Sequence, residues 1–192
     1  MPRLMLMSLL LSASTMCWAA DPPSEDLKQQ EVKQCTEHLE QIYEAIQNYR
    51  EEKKRLPDWL SDLVDGKYLD ADALICPVTA RTGETNLFGV KDPRVKTSYI
   101  YEFCAMQVPG EIWGGSKRTM REWKQRQMGL VGSAVPILRC HLHSPVLNVS
   151  FDGEVYESPT SWEEIHLDKV RMEEFSPAAL FGPQGVNPFP IP

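Results

Sequence analysis

The longest regular pattern of apolar positions lies in the first third of the chain. Between residues 32 and 49 the apolar residues recur every three or four positions, and Glu, Gln, Lys and Arg occupy most of the places between them. This spacing puts the apolar side chains on one face of an amphipathic helix. We predict this helix over residues 25–54, with Pro57 preventing its continuation. Its predicted core-facing residues are Val32, Cys35, Leu39, Ile42, Ile46 and Tyr49.

Shorter elements are predicted after this helix. Leucine and valine spacing indicates a short helix over residues 58–64. Residues 67–77 are predicted to be extended, and residues 79–96, rich in Gly, Thr, Asn and Asp, to form a loop. The β-branched and aromatic residues of 97–103 and of 134–140 are typical of strands. The long helix precedes the predicted strands along the chain. This order favours an α+β fold, with one long helix packed on a small antiparallel sheet.

The pair Asp152-Gly153 predicts a β-hairpin. Both residue types tolerate the positive φ of a two-residue type I′ turn, and this turn would set Val149 opposite Tyr156. Asp152 is thus interpreted as a turn residue. The predicted core face carries Leu147, Val149, Phe151 and Tyr156, and Asn148 and Ser150 point away from it.

A basic amphipathic helix is predicted over residues 116–128. Ser116 would cap it, and Met120 and Trp123 would pack on the sheet. The favoured interpretation is a surface helix with solvated charges, and the alternative is a helix that docks on an anionic surface. Its basic residues are Lys117, Arg118, Arg121, Lys124 and Arg126.

The two ends of the chain are predicted to lie outside the folded domain. Residues 1–19 have the basic start, short apolar run and small residues of a secretory signal peptide. A polar lead-in follows at residues 20–31, then the globular domain at residues 32–174. Residues 175–192, rich in Pro and Gly, are predicted to form a tail without a core. The mature chain is therefore expected to lack a transmembrane segment and to be periplasmic or secreted.

Charge and cysteine content narrow the class of protein. The net charge of −7 argues against a nucleic-acid partner, because phosphates select clustered Lys and Arg. Four cysteines follow the predicted signal peptide, and an even number in an oxidising compartment favours two disulfides. From their places at the ends of extended segments and on the helix stripe, we predict the pairs Cys76–Cys140 and Cys35–Cys104.

Two alternatives would use the stretch around Cys140 differently. Cys140, His141 and His143 could bind a metal ion together with Cys76 or Cys104, because Zn²⁺ accepts thiolate and imidazole ligands. The usual paired cysteine spacings are missing, so the sequence favours disulfides, no metal site and no cofactor.

The second alternative is an enzyme that uses His141 or His143 with Asp152. No nucleophile elbow, zinc-protease helix or phosphate-binding loop is present. We therefore predict no catalytic residues and a protein that is not an enzyme.

Several segments, in order, resemble a known family. The helix CTEHLEQIYEAIQNYREEKKRLPDWLSDLVDGKYL, the following LICP, the strand YIYEF and the hairpin VLNVSFDGEVYES are similar to G-type pseudopilins of type II secretion. They also resemble bacterial prepilin-like proteins that end in a histidine, a spacer and Asp-Gly. In contrast with these families, the chain has no Gly before Gly66 and no long apolar helix at its start. The spacing from His143 to Asp-Gly is also one residue shorter than the family pattern.

The resemblance implies a pilin-like head without the membrane helix that lets pseudopilins stack. It implies an exported, non-enzymatic structural or interaction module of the bacterial cell envelope or secretion apparatus, with protein partners there. G-type pseudopilins bind calcium in an acidic loop, and no residue here matches that loop one by one. An alternative is a true minor pseudopilin that enters the filament.

The export prediction is tested at the N-terminus. We expect a mature chain that begins at Ala20 or Asp21 and carries no lipid, as measured by N-terminal sequencing and intact mass. A diacylglyceryl group on Cys17 would instead show a membrane-anchored lipoprotein.

Overall fold

The computed structural model describes residues 23–85, 90–108 and 118–159. Three predicted features lie outside these residues: the signal peptide at 1–19, the helix cap Ser116 and the tail at 175–192. The helices are α1 (Glu25–Lys53), α2 (Ser61–Asp65), α3 (Pro77–Thr82) and α4 (Met120–Val131), with single 3₁₀ turns at Ala71–Leu74 and Gly132–Ala134. The strands are β1 (Ile100–Tyr101), β2 (Gln107–Val108), β3 (Arg118–Thr119), β4 (Pro136–Cys140), β5 (Val146–Ser150) and β6 (Val155–Ser158).

Helix α1 confirms the main prediction from the sequence. Ser24 caps its first turn by accepting a hydrogen bond from the Leu27 amide at 3.3 Å. At the other end Lys54 adopts the left-handed conformation, with φ 56°, and its amide donates to the Arg50 carbonyl. The predicted stripe of Cys35, Leu39, Ile42, Ile46 and Tyr49 is buried, while Val32 is half-buried.

The sheet confirms the α+β class. Strands β1, β4, β5 and β6 form one antiparallel sheet in the order β1-β4-β5-β6, and β2 pairs with β3 in a separate ribbon. Helix α1 packs on β4 and β5. The structure is thus one long N-terminal helix on a small antiparallel sheet.

Two segments differ from their predicted structure. The segment predicted as extended to Pro77 contains a 3₁₀ turn, and Pro77 opens helix α3, whose first position suits proline because no amide is needed there. The strand predicted over 97–103 is reduced to Ile100 and Tyr101, which pair with β4. The β-propensity of a segment does not determine how many of its residues pair with a neighbouring strand.

The hairpin prediction was correct in place and wrong in register. Its loop has three residues, because the Gly153 amide donates to Ser150 and the Ser150 amide to Glu154. Only Gly153 has a positive φ, 94°, so the type I′ turn is absent. Val149 therefore pairs with Val155 and Tyr156 with Asn148, although Tyr156 still packs against the core.

Asn148 and Ser150 were expected to point away from the core, and both are buried. They are accommodated by hydrogen bonds within the hairpin: the Asn148 side chain donates to Ser158 Oγ at 3.0 Å, and Ser150 Oγ accepts from the Glu154 amide at 2.9 Å. Strand β5 is therefore covered on both faces. Alternation of apolar and polar residues does not reveal such a strand.

Helix α4 begins later than predicted. Thr119 caps it through a capping box with Glu122. Lys124, expected to be solvated, is 1% exposed, and its Nζ lies 3.3 Å from Glu102. Arg121 lies 2.9 Å from Asp58. Part of the basic face thus serves packing within the fold. Among the described residues, no helix is both long and apolar enough to span a membrane.

The buried stripe of α1 is tested by Ile42→Asp. Ile42 is fully buried, and an unpaired buried carboxylate costs several kcal/mol, a large part of a domain stability of about 5–15 kcal/mol. We expect this variant to be unfolded, as judged by circular dichroism and thermal melting. The matched control, Asn48→Asp on the exposed face of the same helix, should melt within a few degrees of the wild type. Equal melting temperatures for the two variants would contradict the packing.

Candidate metal centre

Three cysteines and one histidine meet inside the fold. The ligand atoms of Cys35, Cys76, Cys140 and His143 all lie within 4.8 Å of one another. The three cysteines are fully buried and His143 is half-buried. Cys76 Sγ and His143 Nε2 are 3.3 Å apart, within hydrogen-bonding distance.

Each ligand comes from a different part of the architecture. Cys35 belongs to the buried stripe of α1, which faces the sheet. Cys76 is the residue before α3, where its extended backbone turns into the helix that begins at Pro77. Cys140 ends β4, and His143 lies in the short connection between β4 and β5. The four residues therefore join the helix, the middle segment and the sheet.

The backbone around two of these sulfurs favours thiolates. Among the influences on the pKa of these two cysteines, the Val78 amide acts to lower that of Cys76, and the Leu142 amide acts to lower that of Cys140. In both cases the donor is two residues after the cysteine. Such donors stabilise negative charge on sulfur. The Cys76 amide in turn donates to Ser98 Oγ at 3.0 Å, which fixes the turn.

The three thiols change one another's pKa values. Hydrogen bonds from Cys140 and Cys35 lower the pKa of Cys76 well below its usual value. Hydrogen bonds with Cys140 and Cys76, together with burial, raise the pKa of Cys35. For Cys140, the hydrogen bond with Cys35 lowers the pKa, but the bond with Cys76 and burial outweigh it and raise the pKa to about 12.

Of the three thiols, only Cys76 has a lowered pKa, and those of Cys35 and Cys140 are raised. Further deprotonation would place like charges a few ångströms apart in a medium of low dielectric constant. A divalent cation at the centre of the cluster reverses this effect, because it attracts all three thiolates. The group is therefore suited to a metal ion by its charge as well as by its donor atoms.

The donor atoms of this cluster favour Zn²⁺. Three thiolates and one imidazole are a common set for structural Zn²⁺, with bonds of about 2.3 Å to sulfur and about 2.0–2.1 Å to nitrogen. Tetrahedral corners at such distances lie about 3.8 Å apart. The cluster, whose ligand atoms are within 4.8 Å of each other, needs only small side-chain movements to close around the ion.

Only some of the residues predicted from the sequence as possible metal ligands come together in the structure. Cys76, Cys140 and His143 of the proposed metal set come together, whereas His141 and Cys104 are not in the cluster. The fourth member of the cluster is Cys35, which the metal hypothesis omitted. The available signal was its place on the helix stripe, since a helix packed on the sheet can bring Cys35 to the end of the strand that closes at Cys140.

The predicted disulfides are not formed in this structure. Cys35, Cys76, Cys104 and Cys140 are all free and buried. Cys35 lies with Cys76 and Cys140 instead of forming the predicted bond with Cys104. Burial raises the pKa of Cys104 to about 11, which is typical of an inert buried thiol.

The geometry also separates the residues of the enzyme hypothesis. Asp152 follows β5, whereas His143 precedes it, so a strand of five residues, about 17 Å, lies between them. The Asp152 carboxylate accepts hydrogen bonds from Ser150 and, at 2.7 Å, from Ser133. Hydrogen bonds from these two hydroxyls lower its pKa. Asp152 is thus a turn residue, as expected, and is not paired with His143.

Searches of family models, of curated proteins and of solved structures each found no significant match to this chain.

The state of the cysteines is tested by thiol counting. We expect four free thiols per chain when the purified protein is denatured with a chelator and without reductant, because all four are free in the structure. The count is measured by alkylation and mass spectrometry. No free thiol would support both predicted disulfides, and two would support one of them.

Proposed function

We propose that this protein binds one zinc ion through Cys35, Cys76, Cys140 and His143, and that the ion holds helix α1 against the sheet. The observation that carries the proposal is the convergence of these four ligand atoms within 4.8 Å in the buried core. Bound there, zinc would supply a fourfold crosslink and neutralise the thiolates.

A structural role fits this site better than a catalytic one. Catalytic zinc keeps one position for water or substrate, whereas structural sites are filled by four protein ligands. Here the chain itself offers four, and three of them are fully buried. The ligands are 41 or more residues apart along the chain except for the last two, so the ion would restrict the unfolded chain strongly and bind mainly the folded state.

The zinc-bound domain serves, in this proposal, as an exported pilin-like module without enzymatic activity. The resemblance to G-type pseudopilins and the predicted signal peptide support export and a role in the cell envelope. The arrangement of one long helix on an antiparallel sheet is compatible with a pilin-like head. Its partners are accordingly proteins of the envelope or secretion apparatus, and fold analogy is the basis for this part of the proposal.

The zinc site is tested by metal content and by matched variants. We expect one zinc per chain by elemental analysis, and a tetrahedral cobalt spectrum with sulfur-to-cobalt charge transfer after exchange with Co²⁺. Cys35→Ser and His143→Ala should each weaken zinc binding by more than about 100-fold, since even changes outside the ligand shell cost about 10–100-fold. Chelation should also lower the melting temperature.

The controls are residues of the same types outside the cluster. Cys104→Ser and His141→Ala should keep one zinc per chain and the cobalt spectrum, although Cys104→Ser places a hydroxyl in a buried site and should lower stability. Wild-type protein without stoichiometric zinc after metal addition, or equal zinc affinity in Cys35→Ser and Cys104→Ser, would contradict the proposal.

A further inference from the structure

A small pocket rich in positive charge lies at the C-terminal end of α1. Its volume is about 220 Å³. Among the described residues that line it there is no carboxylate, and four are cations: Arg50, Lys54, Arg55 and Arg121. The chain as a whole carries a net charge of −7. This basic pocket therefore concentrates positive charge on an acidic protein.

The basic pocket also has an apolar side. Phe103 is fully buried and Phe151 is half-buried, and their ring centroids are 5.0 Å apart at an interplanar angle of 44°. Leu56 extends this apolar lining. The guanidinium carbon of Arg50 lies 5.8 Å from the centroid of the Phe151 ring, a cation–π contact that holds the charge beside the ring. A ligand here would meet aromatic surface and positive charge together.

Two of the four cations are already engaged in the fold. Arg121 donates to two backbone carbonyls, at 3.0 and 2.7 Å, and lies 2.9 Å from Asp58. Arg55 lies 3.0 Å from the same carboxylate. Arg50 and Lys54 pair with no carboxylate in the part of the chain that the structure describes. These two side chains are therefore the ones that can bind an anionic ligand.

The helix dipole explains only part of this arrangement. Cations near the last turn of a helix offset the negative end of its dipole, and Arg50 and Lys54 lie at that end of α1. The dipole does not account for the meeting of these cations with Arg121 of α4 and with two aromatic rings that follow β1 and β5. The combination of the three segments is what makes the pocket.

We propose that the basic pocket binds an acidic peptide segment of a partner protein, with a carboxylate on Arg50 and Lys54 and a neighbouring aromatic side chain against Phe151. Guanidinium groups recognise carboxylates through paired hydrogen bonds. The pocket is smaller than the usual small-molecule sites of about 300–1,000 Å³, which suits a single side chain with its carboxylate neighbour.

This inference deepens the interaction role proposed above and rests on it, but it does not depend on the zinc ion. Arg50 follows Cys35 by 15 residues, which is about 22 Å along the helix. Changes in the basic pocket should therefore leave the cysteine cluster loaded with one zinc per chain.

The experiment measures the binding of the fluorescein-labelled peptide GEEFEEG to the full chain by fluorescence anisotropy. The double variant Arg50→Gln/Lys54→Gln should bind it about 5–20-fold more weakly than the wild type, because exposed charge pairs contribute modestly and two are removed. The peptides GQQFQQG, without charges, and GEEAEEG, without the ring, should each bind more weakly than GEEFEEG. Added salt should weaken the binding of GEEFEEG, because it screens exposed charges.

The matched control is Lys33→Gln, which removes a cation from an exposed position of α1 outside the pocket. It should bind GEEFEEG as the wild type does. Both variants should melt within a few degrees of the wild type. If the double variant does not fold, Lys54→Gln alone, at an exposed position, should weaken binding by about 2–5-fold.

The outcomes distinguish the possible occupants of the pocket. Failure of the wild type to bind GEEFEEG up to about 1 mM, or equal affinity in the double variant and Lys33→Gln, would overturn the proposal. Equal binding of GEEFEEG and GEEAEEG would contradict the role of the rings. Binding of phosphatidylglycerol vesicles instead of the peptide, or a wild-type dimer that the double variant dissociates in sedimentation, would replace the peptide by a lipid surface or a second copy. Peptide binding by a wild type without zinc would contradict the zinc site alone.

Discussion

The contact between three buried thiols and one imidazole is the constraint on which the rest of this fold depends. Cys35 can reach Cys140 only if α1 lies across the end of β4, and Cys76 can join them only if the middle segment turns at Pro77. Burial in a medium of low dielectric constant prevents the sulfurs from all becoming thiolates without a counter-charge. A zinc ion would satisfy this requirement and link the three segments at once.

A second set of buried polar contacts is a group of ion pairs around Glu102. Glu102, just after β1, lies 2.9 Å from Arg139 of β4 and 3.3 Å from Lys124 of α4, and all three side chains are almost fully buried. Buried ion pairs are costly to desolvate, and removing one partner leaves an unpaired charge in the core. These ion pairs therefore fix where α4 packs, because Lys124 must lie next to Glu102.

The cysteine cluster also helps to position the irregular middle segment. The described part of the chain from α2 to β1 contains mainly turns and short helices. It is anchored at Cys76 by the cluster and by Ser98, and at its start by side-chain caps such as Asp62, which accepts the Asp58 and Trp59 amides. Specific polar contacts thus replace the regular ladders that a longer sheet would provide.

The sequence by itself determined the features that depend on neighbours along the chain. The three-and-four spacing of apolar residues was enough to predict α1 and its buried stripe, because helix periodicity is local. The α+β class followed from the order of the patterns, and Asp152-Gly153 correctly placed the hairpin. Its register was missed by one residue, since two- and three-residue loops share the same turn residues.

Only the tertiary structure decided which distant residues meet. The cysteine count suggested disulfides, but sequence spacing carries no information about whether Cys35 lies beside Cys104 or beside Cys76 and Cys140. The burial of Lys124, Asn148 and Ser150 was equally hidden. Lys124 depends on Glu102 from another segment, and Asn148 and Ser150 depend on hydrogen bonds within the hairpin that pattern alone does not show. The choice between His141 and His143 was made by the direction of the chain after β4, which a pattern of residue types does not contain.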